Sequence, residues 1–157
     1  MAENIVLDAS GMLRSNHDFR RGDYLIPECV LHEIKLEKDR DALDASVRAG
    51  YVRVADPVDA SREAVISASK QTGDYPVLSP QDIDVLALAY ERDAAIASDD
   101  YAIQNTAKKL GIKTLSTCVE GIKKEIIWSY VCGGCGKKAD STGVCGVCGH
   151  KILRRKS

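Results

Sequence analysis

The chain has 157 residues and a formal net charge of −1, a length that suits one ordinary domain, or one domain plus a small metal-stabilised module. No run approaches about 18 consecutive apolar residues, which excludes a membrane-spanning helix, and the start Met1-Ala-Glu-Asn has no basic region of the kind that opens a secretory leader. These features predict a cytoplasmic chain, in which clustered cysteines read as metal ligands rather than as disulfides.

In chain order, Asn4 to Leu7 is a short apolar run that reads as a buried strand, with Asp8 at its C-terminal end. Leu25-Ile26-Pro27 reads as an extended segment ahead of a helix. Glu28 to about Glu37 places Val30, Leu31 and Ile34 at helical spacing, and Arg40 to Ala49 continues helically until Gly50. Tyr51 to Val54 is a second strand. Ser61 to about Gln71 is a helix ended by Gly73. Ser79-Pro80-Gln81-Asp82 is a helix start, with Ser79 as cap, Pro80 at the first position and Asp82 in the first turn; the helix runs to about Arg92. Ala94 to Ala97 is a third strand, followed by Asp99 and Asp100. Tyr101 to Leu110 is a helix closed by Gly111, and Ile112 to Leu115 is a fourth strand.

Short apolar strands alternating with helices predict an α/β fold, a parallel sheet covered on both faces. Active sites of such sheets gather at the C-terminal ends of the strands, where Asp8, Asp99 and Asp100 fall. After Leu115 the pattern changes. The expected organisation is a domain over 1–118, a linker over 119–128, and a second small module over 129–157. The charge divides in the same place. Residues 1–114 carry 14 Lys and Arg against 20 Asp and Glu, and residues 115–157 carry 8 against 3. An acidic body with a basic tail suggests that the tail meets a polyanion.

Cys132-Gly-Gly-Cys135 and Cys145-Gly-Val-Cys148 are two CxxC knuckles with nine residues between them. CxxC turns two thiolates toward one ion, and two such knuckles make a closed structural zinc site with no position left for chemistry. A segment of about 30 residues needs such a staple to fold. Disulfides, a redox CxxC and an iron–sulfur cluster are the other readings of these cysteines, and the paired spacing favours zinc. Cys29 and Cys118 are isolated and read as core or boundary thiols. His150 reads as a surface residue.

Asp8, Glu33, Asp82 and the Asp99/Asp100 pair are scattered through the chain. By spacing alone each is as readily a helix cap or a solvated charge as part of a site, and Asp82 in a first helical turn is favoured electrostatically in any case. Gathered in one cleft they would repel each other unless a hard cation lay between them. Mg2+ or Mn2+ suits such oxygen ligands.

The segments Ile5-Val6-Leu7-Asp8-Ala9-Ser10, His32-Glu33-Ile34, Asp82 ahead of Val85-Leu86-Ala87-Leu88-Ala89, and Ala97-Ser98-Asp99-Asp100-Tyr101 resemble the motifs of PIN nuclease domains. The run from Leu78 to Ala89, together with Asp99 to Asn105, is similar to the Nin-one-binding (NOB) endonucleases that mature small-subunit ribosomal RNA. The order of a PIN domain, a linker rich in Ile and Lys, and a four-cysteine ribbon matches the short archaeal members. The resemblance covers nearly the whole chain. It implies catalytic acids at Asp8, Glu33, Asp82 and Asp100, which would hold Mg2+ or Mn2+, with Asp99 sharing the role. Asp84 lies two residues past Asp82 and would point away around the helix. Ser10 matches a small hydroxyl position, and Ser98 stands where Thr is commoner. The implied reaction is hydrolysis of one phosphodiester near the 3′ end of precursor 16S-type rRNA, leaving a 5′-phosphate and a 3′-hydroxyl. The implied partners are that RNA, the small ribosomal subunit and other assembly factors.

Candidate RNA contacts are Lys137, Lys138, Lys151, Arg154, Arg155 and Lys156, with Lys123 and Lys124 in the linker and Trp128 and Tyr130 ahead of the ribbon. Basic groups bind phosphate and aromatic rings stack on unpaired bases, although a tryptophan in a small module more often plugs its core. Two rival functions are a toxin-type PIN ribonuclease acting on other RNA and a non-catalytic assembly module that docks through the ribbon. The ribbon argues against the first and the full set of acids against the second.

Overall fold

A computed structural model describes residues 4–8, 23–33, 37–115 and 127–156. Ser10, Cys118, Lys123, Lys124 and the continuation of the first helix over 34–36 lie outside the described residues.

The first domain is a parallel five-stranded sheet. Its strands are β1 (Asn4–Leu7), β2 (Asp23–Ile26), β3 (Val52–Val54), β4 (Ala95–Ala97) and β5 (Thr114–Leu115), in the order β3-β2-β1-β4-β5. Its helices are α1 (Glu28–Glu33), α2 (Glu37–Arg48), α3 (Asp59–Thr72), α4 (Pro80–Arg92) and α5 (Tyr101–Leu110). The extended segment expected at Leu25-Ile26-Pro27 is a full member of the sheet, with Asn4–Val6 of β1 on one side and Val52–Val54 of β3 on the other. A run that short carries the same local signal in a loop or in a strand; only its long-range partners decide.

The core lies between strand and helix. Val6, Leu7, Leu25, Ile26 and Ile96 from the strands meet Leu86 and Leu88 of α4 and Ile103 of α5, all fully buried. α4 forms where expected because its ends are specified locally. Ser79 caps it and Pro80 occupies the first turn. The Ser79 hydroxyl accepts the Asp82 amide while the Asp82 carboxylate accepts the Ser79 amide. Its buried run Val85 to Ala89 then packs against β1 and β4.

The second module is an antiparallel sheet of β6 (Trp128–Cys132), β7 (Lys138–Ala139), β8 (Gly143–Val144) and β9 (Lys151–Lys156), ordered β7-β6-β9-β8. Trp128, expected at the end of the linker, is the first residue of β6, paired with Lys156.

The two modules are joined by a buried polar contact. Asp74 follows α3 and is fully buried. Its Oδ2 accepts hydrogen bonds from Thr72 Oγ1 (2.8 Å), Asn105 Nδ2 (2.7 Å) and Thr106 Oγ1 (3.5 Å), and its Oδ1 receives Arg154 of β9 at 2.9 Å. Burial pushes the Asp74 carboxyl up, while Asn105, Thr72 and Arg154 pull it back. Beside it the Tyr130 hydroxyl donates to the Gly73 carbonyl at 2.6 Å. Gly73 has φ +80°, and a Cβ there would lie 2.1 Å from the Trp128 carbonyl oxygen, so only glycine permits this approach. Removing one partner of a buried ion pair strands the other charge. Arg154→Leu is therefore expected to destabilise the protein by on the order of 3 kcal/mol, with much of the loss recovered in the Arg154→Leu/Asp74→Asn double variant. Urea denaturation of the four proteins checks this, and additive losses would mean that the two side chains do not act as a pair.

Candidate active site and metal centre

The order β3-β2-β1-β4-β5 places the switch point of the sheet between β1 and β4. The chain builds outward from β1 to β2 and β3, then returns to the other side of β1 for β4 and β5. At such a point the strand ends leave a crevice on their C-terminal side. The register pairs Leu7 with Ala97, so the residues that follow, Asp8 and Ser98, emerge side by side. Ser98 Oγ donates to Asp8 Oδ2 at 2.6 Å, and the same hydroxyl oxygen accepts the Asp100 amide at 3.1 Å. Gln104 Nε2 in turn donates to the Ser98 carbonyl, fixing the turn after β4 from α5. Asp8 and Ser98 are buried, 90 positions apart in sequence and in contact.

Asp100 is exposed and caps α5, its Oδ1 accepting the amides of Ala102 and Ile103. Asp82 enters from the first turn of α4. Burial pushes its carboxyl up and the nearby charge of Asp100 adds to this, while the Ser79 contacts pull it down. Asp99 is buried between Ser98 and the cap. Ser98 thus ties the Asp8 carboxylate to the backbone amide of Asp100, and Asp82 lies near enough to Asp100 to feel its charge; the three carboxylates do not form a metal-sized group among the described residues. Glu33 ends α1 with an exposed side chain, and no contact to the other acids occurs among the described residues. Asp84 is half-buried and faces elsewhere. Its Oδ1 receives Arg62 Nε at 2.7 Å and its Oδ2 the Cys29 thiol at 3.4 Å. Burial, then the Asp84 carboxylate, push Cys29 up to about 11, which disfavours its thiolate.

Asp100 caps α5 with one carboxylate oxygen, so its shape and its charge are separable. Asp100→Asn keeps an oxygen for the amides and should leave thermal stability near wild type. Asp100→Ala should cost about 1 kcal/mol of helix capping. Melting in the presence of chelator reads this, and equal stability of the two variants would deny Asp100 the capping role.

The four cysteines Cys132, Cys135, Cys145 and Cys148 have their sulfurs within 4.8 Å of one another. Cys132 and Cys148 sulfurs are 3.2 Å apart, Cys135 and Cys145 3.9 Å, and none is disulfide-bonded. An ion about 2.3 Å from each of four tetrahedral thiolates requires sulfurs about 3.8 Å apart, so the set fits a tetrahedral metal. Among the described residues it is the one such cluster of His, Cys, Asp and Glu. Backbone amides of the knuckles point at the sulfurs: Cys132 Sγ accepts from Gly134 and Cys135. The Cys135 amide lowers Cys132, the amides of Cys148 and Val147 lower Cys145, and the His150 amide leads in bringing Cys148 down to about 7. The Lys137 amide favours the Cys135 thiolate too, but the sulfurs around it push this thiol up to about 11. Four cysteine sulfurs at this spacing, three of them favoured as thiolates, suit a cation.

Lys137, Lys138, Lys151, Arg155 and Lys156 are exposed on the ribbon. Arg154, read from the sequence as an RNA contact, instead turns toward Asp74 and stacks on the Trp128 ring at 3.9 Å. The sequence reading missed Asp74, whose only local signal, a position beside Gly73 between two helices, is that of an ordinary turn.

Residues 5–91 match the family described as the PIN domain of ribonuclease, and residues 74–126 a PINc domain ribonuclease family. The endoribonuclease Nob1 of Pyrococcus abyssi is 42% identical over 132 residues, covering 82% of this chain and 81% of its own. The chain belongs to the Nob1 family of PIN-domain endoribonucleases. Ribonuclease VapC1 of Thermoplasma acidophilum is 39% identical over 150 residues, covering 95% of this chain and 76% of its own. The 20S-pre-rRNA D-site endonuclease NOB1 of Saccharomyces cerevisiae is 29% identical over 104 residues, 64% of this chain and 22% of that one. As a Nob1-family PIN nuclease the chain is a hydrolase of RNA, and its family works with divalent metal.

Proposed function

We propose that this protein cleaves the precursor of small-subunit ribosomal RNA near its mature 3′ end, on or beside the small ribosomal subunit in the cytoplasm. What supports the reading is Ser98 at the switch point of a Nob1-family sheet, its hydroxyl donating to the Asp8 carboxylate and accepting the Asp100 amide, with Asp82 near enough to feel the Asp100 charge. Asp8, Glu33, Asp82 and Asp100 are the residues that would hold Mg2+ or Mn2+, with Asp99 adjoining; their oxygen donors suit such an ion, while their carboxylates form no metal-sized group among the described residues. A bound divalent ion supplies a water of lowered pKa and stabilises the charge developing on the phosphate. The protein's part is positional. Ser98 holds the Asp8 carboxylate in one orientation, the α5 cap fixes Asp100, and the capping box fixes Asp82. Glu33 is exposed at the last described residue of α1. Zn2+ on the four cysteines is structural, and the exposed lysines of the ribbon with Arg155 meet the RNA backbone.

The likeness to VapC1 runs across the ribbon as well as the nuclease domain, so the ribbon by itself does not divide rRNA maturation from cleavage of other RNA; the substrate does. A short RNA spanning the mature 3′ end is expected to be cut once, with Mn2+ and not in chelator, and a tRNA or a scrambled RNA is expected to remain whole. Cutting of all three alike would favour the second reading.

A further inference from the structure

Between the two modules lies a cleft of about 480 Å3, walled by the end of α3 and the 3-10 turn Tyr75–Val77 on one side and by β6 and β7 on the other. This volume falls in the ~300–1,000 Å3 span of small-ligand sites. Lys70 and Tyr75 line it from the nuclease domain, and Trp128, Lys138 and Asp140 from the ribbon. Tyr75 is 40% exposed, and the Lys70 ammonium lies 5.1 Å from its ring centre. Trp128 is held by Arg154 against its ring and by the close approach of Gly73. An exposed tyrosine or lysine alone is ordinary. Here three aromatic residues, Tyr75, Trp128 and Tyr130, and two ammonium groups line one concavity between an acidic domain and a basic module. The docking contacts of Asp74 and Tyr130 hold its two walls at a set spacing.

We infer that this cleft is a subsite for one unpaired nucleotide of the RNA substrate, its base stacked among Tyr75 and Trp128 and its flanking phosphates on Lys70 and Lys138. The inference rests on the RNA-cleaving reading above. Every base has a π-face, so aromatic walls with flanking cations recognise single strands without demanding a sequence. Asp140 disfavours a bare phosphate in the cleft and offers an acceptor to the N–H edge of a base. The same connection that carries Tyr75 leads directly to Ser79 and Asp82. A nucleotide seated here therefore sets the register of the strand relative to the crevice.

The test uses the full chain carrying Asp8→Asn, so that RNA is bound without being cut. Trp128 is the sole tryptophan of the chain and reports on the cleft through its own emission. A short unpaired RNA is expected to quench Trp128, and the same sequence in a duplex is not. Tyr75→Ala should weaken binding of the unpaired RNA roughly tenfold by fluorescence anisotropy, while Tyr75→Phe keeps it. Lys70→Ala with Lys138→Ala should reduce the slope of log affinity against log salt by roughly 0.7 per lost phosphate contact. Wild-type affinity in Tyr75→Ala, or RNA that binds without quenching Trp128, overturns the subsite. The two readings fail differently. If Tyr75→Ala in the otherwise native chain cuts RNA with unchanged KM, the subsite alone falls. If the chain neither binds nor cuts RNA, the nuclease reading falls with it.

Discussion

Asp8→Asn should abolish cleavage while the fold and RNA binding persist. The asparagine keeps the volume and an oxygen to accept the Ser98 hydroxyl, which sits 2.6 Å from the native carboxylate. What it loses is the charge that would hold a divalent ion at the head of the crevice. Such an ion contributes several kcal/mol to the transition state of phosphodiester hydrolysis, and each 1.36 kcal/mol is tenfold in rate, so the expected loss is roughly a thousandfold or more. A single-turnover assay on matched wild-type and variant protein, with binding measured in parallel, decides it. Undiminished cutting by the variant would remove Asp8 from the site. Undiminished cutting by the wild type in chelator would remove the metal-dependent mechanism. A further consequence concerns the metal-free protein. The Asp100 charge adds to the burial that raises Asp82, so Asp100→Asn relieves a repulsion and should not lower stability when no divalent ion is present.

Removal of the ribbon metal should have the second large effect. Structural zinc binds isolated finger peptides with an apparent ~10–16 kcal/mol near neutral pH, and for such modules binding free energy is folding free energy. One zinc per chain is expected by elemental analysis, and none in Cys145→Ser. The variant should lose the β6–β9 sheet, since Cys132 and Cys145 are the ribbon's buried cysteines and stand in for a core. The first domain has its own core and should stay folded, but not untouched. Without β9, Asp74 loses Arg154 and becomes a carboxylate among uncharged partners, and Gly73 loses Tyr130. Hydrogen exchange separates the two levels. Amides of β6 and β9 should exchange freely in Cys145→Ser, those of β1 and β4 should remain protected, and those around Gly73 to Val77 should lie between. Full protection of β6 and β9 without metal would show that the ribbon needs no ion. The presence of iron in place of zinc would correct the identity of the metal without altering this result.

The residues themselves determined what depends on neighbours close in sequence. The four cysteines could be assigned from spacing, because a knuckle is a property of four consecutive residues. α4 was legible from Ser79, Pro80 and Asp82, because a helix end is satisfied within one turn. Asp8 and the Asp99/Asp100 pair were legible as acids at strand ends, and the motifs around them pointed to the PIN fold. Only the tertiary structure decided that β1 and β4 are neighbours, which puts the Asp8 carboxylate and the Asp100 amide on one hydroxyl, that of Ser98. It also decided that Leu25 and Ile26 belong to the sheet, that Arg154 faces Asp74 rather than solvent, and that Gly73 must be glycine because Trp128 lies against it. Each of these is a pairing between residues tens of positions apart. Local propensity is the same whether or not the pairing forms, and the free energy that selects it comes from burying both partners together.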